Sequence, residues 1–109
     1  MKKTYTLVDA MTRQIHACGL SAVEAMHKII VHQEYVYEIK KEIKRKKWGE
    51  KEEFHCFRLF IGNPKIKITM PSAYISMEPD KEKAIQEIAE EFVEDSKHKK
   101  FKLCAFAEE

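Results

Sequence analysis

The chain has 109 residues, 44% hydrophobic and 35% charged, with three glycines, three prolines and a net charge of +2. Such a composition describes one ordinary globular domain with a real core and excludes a disordered or loop-dominated chain. So small a net charge also excludes a protein that meets nucleic acid with its whole surface, so any basic function has to be local.

Thr4 to Val8 is rich in β-branched and aromatic residues and reads as a strand. A polar bend at Asp9 to Arg13 leads to a second run, Gln14 to Cys18, and the pair predicts a hairpin that Gly19 ends. Ser21-Ala-Val-Glu24 is a capping box, and the apolar spacing behind it predicts a helix to about His32. From Tyr35 the period becomes two, with Tyr35, Tyr37, Ile39 and Ile43 on one face. Phe54 to Ile61 is apolar on both faces apart from His55 and Arg58, as expected of a central strand. These two runs predict a long hairpin.

Gly62-Asn63-Pro64 reads as a turn, and Lys65 to Met70 alternates as a half-solvated strand with Ile66, Ile68 and Met70 facing in. Pro71 is expected to end it, with one more short strand over Ala73 to Met77. Pro79-Asp80 opens a second helix to about Asp95, striped by Ile85, Ile88, Ala89 and Phe92. After a polar link over Ser96 to Lys100, Phe101 to Phe106 reads as the last strand. The order β-β-α-β-β-β-(β)-α-β predicts an α+β fold: a curved antiparallel sheet with two amphipathic helices packed on one face. Residues 1–109 are expected to form a single compact domain with a projecting basic hairpin tip at about 44–53.

Three cysteines, Cys18, Cys56 and Cys104, are odd in number and widely spaced. They make no disulfide framework and fit a reducing cytoplasm, the expected location. No secretory signal is expected behind Lys2 and Lys3, and no run approaches the ~20 apolar residues of a membrane span. His16 and Cys18 stand two apart on one strand face, but no zinc-type ligand spacing occurs, so no metal is expected. Cys56 and Cys104 sit in apolar runs, which leaves Cys18, with His16 or His27 as base, as the candidate nucleophile. Without a phosphate loop, a nucleophile elbow or an isolated pair of carboxylates, no enzyme activity and no cofactor are expected.

The densest charge is Lys40, Lys41, Lys44, Arg45, Lys46 and Lys47, followed at once by Trp48, the one tryptophan. Cations beside an exposed indole are what a single-strand nucleic-acid binder uses. A second patch, Lys97 to Lys102, adds Lys99 and Lys100. Against this, Glu50, Glu52 and Glu53 on the returning arm would cancel much of the field. Residues 21–95 run helix, three strands, helix, an order that is similar to a double-stranded RNA-binding domain. Phe54 to Gly62 resembles the apolar middle strand of that family, and Lys81, Lys83, Ala84 and Ala89 its last helix. Glu82 interrupts the lysines and Pro79-Asp80 replaces the glycine-rich lead-in, so the resemblance is one of topology and implies RNA contact only in outline. Trp48, Tyr35, Tyr37, Tyr74 and Arg45 are also the residue types that anchor protein interfaces. The expected function is therefore non-catalytic docking on a protein partner, in the manner of a stoichiometric inhibitor or adaptor. Nucleic-acid binding through Lys40 to Trp48 is the alternative, and a homodimer through a sheet edge, such as Lys65 to Met70, is a further expectation.

Overall fold

A computed structural model describes residues 3–45 and 53–108. The order is β1 (Tyr5–Asp9), β2 (Ile15–Leu20), α1 (Ala22–His32), β3 (Val36–Arg45), β4 (Glu53–Asn63), β5 (Ile68–Ser76), α2 (Lys81–Asp95), a 3-10 turn (Ser96–His98) and β6 (Leu103–Ala107). The class is α+β. The strands do not form one curved sheet, however: they divide into two antiparallel three-stranded sheets, β2-β1-β6 and β3-β4-β5. α1 carries the chain from the first sheet to the second. Glu34 adopts φ 63°, and the N–H groups of Glu34 and Tyr35 return to the carbonyls of Val31 (2.8 Å) and Ile30 (3.2 Å). That is a Schellman motif built without glycine, and β3 begins directly after it.

α1 starts where its capping box predicts. Ser21 Oγ accepts from Glu24 N–H at 3.1 Å, and Ser21 N–H donates to Glu24 Oε1 at 3.4 Å. Asp80 caps α2 through the N–H groups of Glu82 and Lys83. The helices pack on each other, α1 over the first sheet and α2 against β4, β5 and β6. Met26, Ile29 and Ile30 meet Ile88, Phe92 and Val93 in one cluster with Tyr5 and Leu7 of β1, Leu59 of β4, Tyr74 of β5 and Leu103 of β6. Tyr74 O–H donates to Asp95 Oδ2 at 3.0 Å while its ring packs edge-on to Phe92. Burial first, then the Asp95 carboxylate, hold that phenol protonated well above its ordinary value.

Three strand expectations need correction. Gly19 does not end β2: it sits within the strand at φ +69°, and the strand runs on to Leu20 with shifted register against β1. Pro64 to Lys67 is a turn and not the start of a strand. Asn63 Oδ1 accepts Lys65 N–H (2.9 Å), Asn63 C=O accepts Ile66 N–H (3.2 Å), and Lys67 turns at φ 53°. Pro71 does not end the next strand either, because β5 is a sheet edge where a missing N–H is tolerated. An irregularity opposite Leu59 follows, and side chains patch it: Ser72 Oγ donates to Leu59 C=O (2.8 Å) and Arg58 Nη1 to Ser72 C=O (2.9 Å). The two predicted short strands are thereby one. β4, as expected, is the central strand of its sheet.

Candidate functional site

The long hairpin β3–β4 carries the basic residues singled out above. Lys40 and Lys41 are exposed, on opposite faces of β3. Lys40 Nζ lies 3.6 Å from Glu38 Oε2 and 5.4 Å from the centre of the Phe60 ring, so its charge is partly engaged. Lys44 and Arg45 end β3 in register with Phe54 and Glu53. Lys46, Lys47 and Trp48, with most of the hairpin tip, lie outside the described residues. Lys99 and Lys100 are exposed, but they belong to the other end of the hairpin. Lys102 N–H donates to Gln33 Oε1 at 3.0 Å, and Gln33 precedes the start of β3. Nine further residues at about 3.3 Å each place Arg45 ~30 Å along the strand.

α2 bears on the RNA-type resemblance. Lys83 lines an open groove with Lys3, Tyr5, Glu78, Glu82, Glu87, Glu90, Glu91 and Glu94. Glutamates dominate it, so the helix whose lysines carried the resemblance presents an acidic surface that repels phosphate. No family model, no curated protein and no solved structure matches this chain. Function has to be argued from the surface itself.

The exposed apolar side chains are the more informative feature. Cross-strand register sets Tyr37, Ile61 and Met70 in one row across β3, β4 and β5. Tyr37 and Ile61 pack at the margin of the core, and the Tyr37 hydroxyl pairs with His27 Nδ1 of α1 at 3.0 Å. Cover runs out before the row ends. Met70 is 66% exposed, Ile68 on the same face 54%, and Ile66 in the adjoining turn 61%. The alternation predicts that these three residues face inward; the face is apolar as expected, but all three side chains stand exposed. The misleading signal was the alternation itself, whereas Pro64, Lys65 and Lys67 in a tight turn point to the sheet's rim. Gly62 lets that rim form, since a Cβ there would lie 2.6 Å from Thr69 Cγ2 and collide with the Ile68 carbonyl.

The cysteines and histidines assemble little. Cys18 is exposed, Cys56 buried and Cys104 half-buried, so Cys104 is less enclosed than its apolar run predicts. His16 packs edge-on to His32 with ring centres 5.4 Å apart. Tyr37 engages His27, the other base considered for Cys18. Among the described residues, no group of three or more His, Cys, Asp or Glu is placed to hold a metal ion. Among them too, no helix is long and apolar enough to cross a membrane.

Proposed function

We propose that this chain acts without catalysis, by docking a folded protein partner onto the rim of the β3–β4–β5 sheet, as a stoichiometric inhibitor or adaptor does. One observation carries the reading: Ile66, Ile68 and Met70 extend the apolar inner face of the sheet beyond the helices and stand in water. Side chains of this size each gain about 1.5–3 kcal/mol on full burial, and contiguous exposed apolar groups at an otherwise polar rim are where partners bind. Lys65 and Lys67 flank the patch and supply a polar border, as interfaces usually have. Two observations weigh against nucleic acid as the partner: Lys97 lies beside Glu94, and the groove along α2 is lined mainly by glutamates.

Affinity capture with wild type beside an Ile68→Glu/Met70→Glu variant tests the reading. A protein held by wild type at high salt and lost by the variant, with the fold intact by circular dichroism, supports it. Capture unchanged by the variant, or captured nucleic acid released by moderate salt, contradicts it and favours the Lys40 to Trp48 crest.

A further inference from the structure

β3 is a sheet edge of unusual regularity. Over Val36–Arg45 it pairs residue for residue with β4, without proline, glycine or register shift, and among the described residues β4 is its one strand neighbour. Edges of such length are generally interrupted, because their unpaired N–H and C=O groups are a template for another strand. The opposite edge, β5, is interrupted by Pro71 and by the irregularity opposite Leu59. β3 has only its charges, and their order selects a partner.

We propose that β3 is the interface of a homodimer, in which two copies pair antiparallel across this edge about a two-fold axis at Lys41. A two-fold axis normal to the sheet keeps like faces together, so each position on one face meets its symmetric counterpart on the other copy. With the axis at Lys41, Lys40 falls opposite Glu42 of the second copy, and Glu38 falls in register with Lys44. On the other face Ile39 falls opposite Ile43. Each pair occurs twice, and opposite charges or apolar groups facing across strands are stabilising. The two adjacent registers lack this match. An axis at Lys40 sets Glu38 against Glu42 and Lys40 against itself, while an axis at Glu42 sets that carboxylate against itself and Lys40 against Lys44.

Two structural details fit the same register. Arg58 Nε holds Glu42 Oε2 at 2.8 Å, which fixes the carboxylate on β3 before any partner arrives. Ile43 lies beyond the helices and is 57% exposed, and Ile39 sits at the margin of the core, so their pairing extends the apolar face across the axis. Lys41 alone meets its own kind. One strand pair buries less than the ~1,600 Å² of a standard interface, so the dimer dissociates on dilution. β3 and β5 are opposite edges of the sheet, so this proposal and the docking of a partner at Ile68 and Met70 stand or fall separately.

Sedimentation over a concentration series, with cysteine cross-linking, decides the matter. A reversible dimer is expected, weakened about tenfold or more by Lys40→Glu, which places like charges across the axis twice. Lys41→Thr is expected to tighten it. In a Cys18→Ser background, Lys41→Cys is expected to link to its own copy under mild oxidation, since facing Cα atoms in a strand pair lie within disulfide reach. Ile43→Cys, which faces Ile39, is expected not to. A monomer at every concentration for both wild type and Lys41→Thr overturns the proposal. So does a dimer indifferent to Lys40→Glu, or one that links through position 43 and not 41.

Discussion

Glu108 shows how much one half-buried carboxylate can organise. Its oxygens accept from Thr4 Oγ1 (2.6 Å), Gly19 N–H (2.7 Å) and Thr6 Oγ1 (2.7 Å), tying the segment after β6 to β1 and β2. These hydrogen bonds, Thr4 foremost, hold the carboxyl below its ordinary value of 4.5. A carboxylate depressed in the folded state contributes fully above its unfolded value, and the contribution drains as pH falls from there through the folded one. Wild type should therefore lose stability more steeply than Glu108→Gln as pH drops below about 4.5, as urea melts across the acid range would read. Two left-handed or crowded positions give opposite signs. Glu34→Gly relieves a Cβ at φ 63° and is expected to raise stability by up to about 1 kcal/mol, net of the entropy glycine adds to the unfolded chain. Gly62→Ala forces a Cβ against the Ile68 carbonyl and Thr69, and is expected to cost about 1–3 kcal/mol in chemical denaturation.

At the scale of elements, the sequence was legible wherever local chemistry decided the outcome. Ser21 and Glu24 announce α1, and Ser21→Ala is expected to destabilise by about 1 kcal/mol through loss of the Glu24 N–H bond, measurable as a lower thermal midpoint. Asp80 does the same for α2, and the two-residue period from Tyr35 and the all-apolar run after Phe54 gave the long hairpin with β4 at its centre. What stayed hidden depended on non-local partners. Glu34 gives no sign that it will take the C-terminal left-handed position normally filled by glycine, and nothing local to β3 shows that it pairs with β4 and not with the first sheet. Lys65 to Met70 has the alternation of a strand, yet the Asn63 side chain converts its first half into a turn. Pro71 reads as a stop, but at an edge it is only a residue without a donor.

For the whole molecule, the consequence of two sheets is that two helices cannot cover both. The first sheet, α1 and α2 enclose a common core with the middle of β4 and β5, and both ends of the hairpin sheet overrun it. Ile43 stands exposed toward one end; Ile66, Ile68 and Met70 stand exposed at the other. Of the basic residues picked out from sequence, Lys40, Lys41, Lys99 and Lys100 are at the surface. The apolar rim was visible in the sequence as residue types but not as a surface, since whether an alternating strand is covered depends on where the helices stop. The most direct test of docking at this rim is calorimetric titration of the captured partner against wild type and Ile68→Ala/Met70→Ala, at low and high salt. The expected result is an affinity about ten- to a hundredfold weaker for the double variant, with little salt dependence in either protein. Equal affinities, or binding that collapses with salt while the double variant behaves as wild type, would contradict it.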